Sequence, residues 1–453
     1  MSQQHLTIST FSIIILMLLV LLSTIQPIVA VICSVLFLIL IILFMKNCDF
    51  SKLSSNIIIF TLMMITSFNR SDKIGALIVG MLLFIYIFNF LINKEYRKNS
   101  NSKLFLFFIV WVIYASFQMI FVEHTSRTWG HFQTLILSIA IIWLLLRLID
   151  SKEKLDKLYT LWGFATLFSI FFGWWEVITN NHLPGSIGNL GLYNVSNIAT
   201  VRFTNPNDYS FFLAISLPIM LLWINRSFKY KILGIFMVIS SFYFVYMNDT
   251  RSIIMIYCIS ILFFVFFSKK KRNKLFFVLT IIALGFYFKD VIQSAISDML
   301  TLGKSDDSSI FRQYLTESAW GVFKSNPLGV GSGNAESHMP VKGNMIHNFW
   351  FEILANYGLL VFIGLVLFFS YGIVKMYKSR NGELKNVIRP ALGSTLIFIP
   401  TCVVSSSVFQ FNITWVVFAL IICVVNMIAK HNKQNLAQRN HKTNVQQEQI
   451  TNP

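Results

Sequence analysis

The chain has 453 residues, of which 55% are hydrophobic, 15% aromatic and only 12% charged, with a formal net charge of +18. Soluble domains carry about 25% charged residues, so these values exclude a water-soluble enzyme and predict an all-α, polytopic integral membrane protein. The basic excess does not read as a nucleic-acid surface, because the Lys and Arg residues stand at the ends of apolar runs rather than along one face with interleaved aromatics.

Apolar runs of roughly the 17–25 residues needed to cross a bilayer recur about fourteen times. They fall near 8–25, 27–45, 56–68, 74–92, 104–122, 132–149, 158–179, 208–225, 230–247, 252–267, 275–291, 347–374, 388–408 and 411–429. The third is short, so the expected count is 12–14. The first lacks a basic leader and continues through Pro27 into the second, which reads as a retained span rather than a cleaved signal. No interval is long enough for a separate soluble core. Residues 1–430 are therefore expected to form one membrane domain, with a large loop over 289–346. The tail over 431–453 is rich in Gln and Asn and is expected to be a disordered cytoplasmic extension.

Lys and Arg collect on the cytoplasmic side of short loops. With the N-terminus inside, 27 of the 37 basic residues fall in cytoplasmic segments, and the pattern alternates without a break, placing both termini inside. The runs Lys269–Arg272 and Lys430 onward also suit anionic lipid. Of the five cysteines, Cys33, Cys258, Cys402 and Cys423 lie in apolar runs and Cys48 in a short inner loop, with neither a disulfide framework nor metal-ligand spacing.

Ten basic residues remain outside, and three arginines among them sit in compact polar settings. Arg202 precedes Asn205-Pro206-Asn207-Asp208, where Pro206 turns the chain and Asn207 or Asp208 can cap the next helix, leaving free N–H groups near a guanidinium. Such a pocket suits an anion; the alternative is a capped helix with Arg202 anchored in lipid head groups. Arg251 follows Asn248-Asp249-Thr250 in a tight turn, where it either grips an anion or is neutralised by Asp249. Arg312 lies in an amphipathic stretch that puts Phe311, Leu315, Val322 and Phe323 on one face, expected to lie along the membrane interface.

The long loop then turns at Asn326-Pro327 into Gly329-Val330-Gly331-Ser332-Gly333-Asn334, which lacks the Gly-Lys-Ser/Thr ending of a nucleotide loop. It is either a plain turn or flexible backbone close to a ligand. His347 follows at the mouth of the next helix, as a candidate base or a structural histidine. Asn348, Glu352 and Asn356 recur every four residues, a polar stripe too costly to face lipid and so expected to point into the bundle. Asp306-Asp307 reads more simply as a helix start than as a metal site.

These residues together resemble the O-antigen ligase and O-antigen polymerase (Wzy-type) superfamily of bacterial polysaccharide enzymes. The matching pieces are Arg202 with Asn205-Pro206-Asn207, Thr250-Arg251-Ser252, and Arg312 through the glycine-rich loop to His347-Asn348 and Gly358. The resemblance covers roughly 193–367. It implies metal-free and cofactor-free transfer of a glycan from an undecaprenyl-diphosphate carrier to a sugar hydroxyl, at the outer face of the bacterial cytoplasmic membrane. Arg202 and Arg251 then stabilise the departing diphosphate and His347 activates the hydroxyl, while Arg312, Asn205, Asn207, Asn348 and Glu352 bind substrate. The implied partners are the lipid-linked oligosaccharide, membrane lipids and other polysaccharide-assembly proteins, with no nucleic acid.

Within the superfamily, Ile-, Phe-, Asn- and Lys-rich usage favours a polymerase making capsule or teichuronic-type polymer over a ligase acting on lipid A core, protein or wall. A transporter or flippase is the third reading, and it would usually show ionisable residues near the midplane; Glu176 lies only a few residues from the end of its span.

The orientation is open to test in a cysteine-free background. An impermeant thiol reagent applied to intact cells should label Ser337→Cys and spare Ser379→Cys; the reverse pattern would invert the topology.

Overall fold

Lipid offers no hydrogen bonds, so a spanning backbone must satisfy its own, and long apolar segments do so as helices. A computed structural model describes residues 50–68, 73–92, 102–122, 126–183, 198–203, 205–266, 307–340, 345–403, 405 and 408–451, and among these every regular element is helical. In chain order they are α1 (Phe50–Ser67), α2 (Lys73–Ile92), α3 (Lys103–Met119), α4 (Ser126–Leu148), α5 (Lys152–Thr179) and α6 (Pro206–Ile224). There follow α7 (Phe228–Met247), α8 (Arg251–Phe266), α9 (Asp307–Ser325), α10 (Phe349–Ser379), α11 (Lys385–Thr401) and α12 (Asn412–Thr451).

All but α9 coincide with expected spans. Among the described residues, six helices (α4, α5, α6, α7, α10 and the first part of α12) are long and apolar enough to cross a membrane, and α3 with parts of α1 and α8 are shorter apolar helices. The expected spans over 8–25, 27–45 and 275–291 lie outside the described residues, so the count of fourteen is not reached here.

Helix α6 is buried without interruption from Asp208 to Leu221. It packs on α5, α7 and α11, while α12 packs on α4, α10 and α11. Helices enclosed on all sides read as apolar all round, and α6 and the apolar part of α12 fit that pattern. Small hydroxyls join the helices: Trp162 donates to Ser216 and Trp174 to Ser240, each at 2.9 Å, the polar glue expected between membrane helices. Two ends of the bundle result. At one, α5 finishes and α6, α8, α10 and α12 begin; this is the site end. At the opposite end the Tyr159 hydroxyl donates to the Val387 carbonyl at 2.6 Å, and Arg226 meets Asp156 and Thr160.

Four features differ from the sequence-based expectation. The tail over 431–451 is helical rather than disordered, because it lacks Gly and Pro and extends a helix already nucleated in the apolar segment. Helix α11 stops at Thr401 instead of 408, just past Pro400, and a short 3-10 turn at Val408–Gln410 precedes α12. The buried face of α9 is Leu315, Ala319 and Val322, packed against the glycine-rich loop and α10; Phe311 is exposed and Phe323 half-buried.

The fourth difference is a break inside α10. Gly358 has φ 77° and ψ −173°, so two helices meet there. The loop 327–331 fills the break: Val330 and Gly331 donate to the Ala355 and Asn356 carbonyls at 3.0 and 2.8 Å, and Leu359 donates to the Pro327 carbonyl at 2.9 Å. From the other side Gln118 donates to the Leu328 carbonyl at 2.8 Å, and Tyr114 donates to it too. A Cβ at Gly358 would lie 2.3 Å from the Leu328 carbonyl carbon, and one at Gly329 2.5 Å from the Asn356 oxygen.

Gly358→Ala should therefore lose at least ~1–3 kcal/mol from the left-handed backbone alone, with the steric overlap added, and lower the melting temperature in detergent by several degrees. Gly80→Ala, with nothing within 4 Å of the added methyl, should not. Equal melting of the two variants would show that the loop does not seal the break.

Candidate functional site

The residues singled out in the sequence gather at the site end, on two groups of loops. The first centres on Arg202. Its loop is held from α5 by Glu176, a fully buried carboxylate that accepts the Thr200 and Val201 N–H groups at 2.7 Å each, with Leu183 N–H at 3.4 Å. His182 Nδ1 stands 3.5 Å from the same side chain. Val201 has φ 52°, a genuine outlier for a β-branched residue. Val201 and Phe203 are fully buried and Arg202 half-buried between them.

Asn248, at the end of α7, grips this loop a second time. Its amide nitrogen donates to the Ala199 and Pro206 carbonyls at 2.9 and 3.1 Å, and its oxygen accepts from Ala199 N–H at 3.3 Å. The cap of α6 is Asn205, accepting from Asn207 N–H at 2.9 Å, and not Asn207 or Asp208. Asp208 is buried and accepts instead from Ser405 at 2.6 Å. Three residues past Asn248, Arg251 Nε lies 3.4 Å from Asp249 Oδ1, with both side chains largely exposed. The neutralising turn expected as an alternative for Arg251 is thus present.

The second group centres on α10. All three residues of the polar stripe are buried, as the cost of facing lipid requires. Asn348 caps α10, accepting from Trp350 and Phe351 N–H at 3.1 and 3.4 Å. Asn356 accepts from Ala335 N–H at 3.0 Å and so holds the glycine-rich loop. Glu352, between them, keeps one buried oxygen, Oε2, without a hydrogen-bond partner. The loop is a folded structural piece rather than free backbone: Ser332 bonds Tyr357 at 2.7 Å, and Asn334 donates to the Val330 carbonyl at 3.0 Å.

His347 is half-buried one residue before the cap. Burial first, and the neighbouring Arg312 guanidinium second, pull its imidazole from 6.5 down to about 4. It is neutral at pH 7 and able to accept a proton. Arg312 thus belongs with the second group, while Arg202 and Arg251 stand on the loops of the first.

The sequence reading missed a third element. Arg127, counted among the outward basic residues but given no role, forms an ion pair with Glu336 of the glycine-rich loop and interacts electrostatically with Glu352. His131, one turn on, stacks on Phe409 with centroids 6.1 Å apart, meets Gln410 at 3.0 Å and lies under Gly333. Segment 402–411 links everything: Phe349 N–H donates to the Cys402 carbonyl at 3.1 Å, Ser405 reaches Asp208, and Phe411 packs on Phe203 at 6.1 Å. The position of Arg127 near a helix start hinted at this, and so did Ser405-Ser406-Ser407 and Gln410, which interrupt the apolar run before α12. No group of three or more His, Cys, Asp or Glu side chains suited to a metal occurs among the described residues.

Comparison with known proteins fits this geometry. Residues 235–368 match the family described as O-antigen ligase, a span that contains Arg251, Arg312, the glycine-rich loop, His347, the polar stripe and Gly358. The chain is 26% identical over 352 residues, 72% of each chain, to the teichuronic acid biosynthesis protein TuaE of Bacillus subtilis (strain 168).

A histidine held near 4 in the folded protein and near 6.5 in the unfolded chain makes the unfolded state bind more protons between those values, so stability falls as pH drops through that window. Melting temperature should decline from pH 7 to pH 4.5, and His347→Gln should decline less. An identical decline in both proteins would show that the imidazole is not held neutral.

Proposed function

We propose that the chain, which is similar over residues 235–368 to the O-antigen ligase family and along most of its length to a teichuronic acid biosynthesis protein, is a multi-pass membrane polymerase of that superfamily. It transfers glycan from an undecaprenyl-diphosphate carrier to a sugar hydroxyl of a second lipid-linked repeat, at the outer face of the cytoplasmic membrane. The observation that carries this reading is the placement of a neutral His347 beside Arg312, at the start of a helix whose next turn holds a carboxylate oxygen with no hydrogen-bond partner.

The reaction breaks the bond between the sugar's anomeric carbon and the diphosphate, forms a bond from that carbon to the acceptor oxygen, and moves the hydroxyl proton to a base. His347 takes that proton. Burial first and Arg312 second weaken the imidazole as a base in the free enzyme; a bound diphosphate offsets the guanidinium and so relieves the smaller of the two effects. Negative charge grows on the departing diphosphate, where arginines stabilise it selectively and grip it with paired N–H donors. Arg202 and Arg251 take this role, with Arg312 on the substrate.

Asn205 and Asn348 spend their side-chain oxygens as caps, so they act by fixing the starts of α6 and α10, whose dipoles favour an anion nearby. The Asn207 N–H is taken by Asn205, so the amide side chain is what Asn207 offers the substrate. The spare oxygen of Glu352 suits a hydroxyl of the acceptor sugar. The chemistry asks for no metal, because arginines neutralise the leaving group.

A ligase, passing finished glycan to lipid A core, protein or wall, is the second reading, favoured by the family's description. Similarity to a teichuronic acid biosynthesis protein favours assembly of a teichuronic-type polymer and so the polymerase.

Purified enzyme reconstituted with lipid-linked repeat separates these readings on a gel: a polymerase yields carrier-linked long chains without added acceptor. His347→Ala should slow elongation by about 10²–10⁴, the usual worth of general-base help. Arg202→Ala should abolish elongation, with lysine rescuing poorly because the fork geometry is lost. Near-wild-type rates for His347→Ala would make the histidine structural and Glu352 the next candidate base. Full activity of Arg251→Lys would leave Arg251 as the partner of Asp249 alone.

A further inference from the structure

Glu176, like Asp208, is a fully enclosed acid near the site, and the proposed chemistry does not use it. Its side chain is fully buried, and its Oε2 accepts two backbone N–H groups from consecutive residues, Thr200 and Val201, at 2.7 Å each. Consecutive N–H groups converge on one anion only when the chain folds into a small concavity, and here that requires Val201 to hold φ 52°. A β-branched residue does not adopt this backbone unaided. The carboxylate thus enforces a strained conformation at the residue directly before Arg202. Strain of this kind persists where the surroundings over-determine it, and Asn248 supplies the second restraint through Ala199 and Pro206.

Phe203 closes the loop from the far side, against Tyr209, Phe212 and Phe411. The Arg202 backbone is therefore fixed on both flanks. We infer that Glu176 and Asn248 are positioning residues for the diphosphate: a buried carboxylate on α5 and a buried amide on α7 lock the 199–206 loop so that the Arg202 guanidinium is pre-aimed at the phosphates. This inference rests on the assignment of Arg202 to the donor diphosphate.

The energetic reason for such an arrangement is that a pre-aimed fork loses little freedom on binding, whereas an arginine on a loose loop must be ordered at the expense of affinity. Asn248 also begins the turn that carries Arg251 three residues later, so the same amide ties the two arginine-bearing segments together.

The test is a double-mutant cycle on the full chain in nanodiscs, reading the dissociation constant for undecaprenyl diphosphate, with undecaprenyl monophosphate as the control ligand. Glu176→Gln keeps the shape and removes the charge. It should weaken diphosphate binding by about tenfold, shift the monophosphate less, and add almost nothing when Arg202 is already Ala. Thermal melting of each variant reports folding separately. If Glu176→Gln does not accumulate, Asn248→Asp, which keeps the acceptor but loses the donor to Ala199 and Pro206, runs through the same cycle.

A full tenfold loss in the Arg202→Ala background, or no loss in the wild-type background, would overturn the positioning role. Wild-type binding by Arg202→Ala would instead overturn the diphosphate assignment itself, and this inference with it.

Discussion

A helix broken within a membrane protein strands carbonyl groups that lipid cannot satisfy, and the break of α10 at Gly358 is where the architecture of the site begins. The carbonyls of Ala355 and Asn356 are taken up by the N–H groups of Val330 and Gly331, and Leu359 returns a bond to Pro327. Loop and helix therefore stand or fall together. The same loop supports α9, whose Leu315, Ala319 and Val322 share a small core with Val330, Ala335 and Ala355. Arg312 rides on that helix and His347 on the strand of chain leading into α10, so their proximity depends on the sealed break.

Elsewhere at this end, side chains rather than regular structure satisfy the irregular backbone. Glu176, Asn248 and Asn356 each accept loop N–H groups, which lets polar loops enter an apolar bundle without leaving buried donors unpaired. This use of polar residues separates two kinds of buried acid. Glu176 is spent on backbone, whereas Glu352 retains an oxygen with no hydrogen-bond partner beside the electrostatic influence of Arg127. A buried carboxylate oxygen without a partner is costly, so Glu352 suits a ligand hydroxyl in a way that Glu176 does not.

Much of the frame was legible beforehand, because span length depends on bilayer thickness and the inward turn of Asn348, Glu352 and Asn356 follows from the expense of polar groups in lipid. The family resemblance was carried by local motifs around Arg202, Arg251, Arg312 and His347. Misjudgements came where long-range contacts override local pattern. Asp208 is drawn to Ser405 instead of the start of α6, which Asn205 caps directly before Pro206, and Phe311 lies outside the face of α9 that the loop covers. The stretch Asn356-Tyr357-Gly358-Leu359 reads as continuous helix, since nothing local shows that another segment will occupy its carbonyls.

The sequence by itself determined that this is a helical membrane protein, where most of its helices run and which polar residues deserve chemistry, since those properties are set residue by residue against lipid and water. Only the tertiary structure decided the pairings: Arg127 with Glu336, His347 with Arg312, Glu176 with the Arg202 loop, and 402–411 as the seam between the two groups. Charge and hydrogen-bonding capacity are written in the chain, but which partner satisfies them is fixed by the packing of distant helices, and that information is spread over all of them at once.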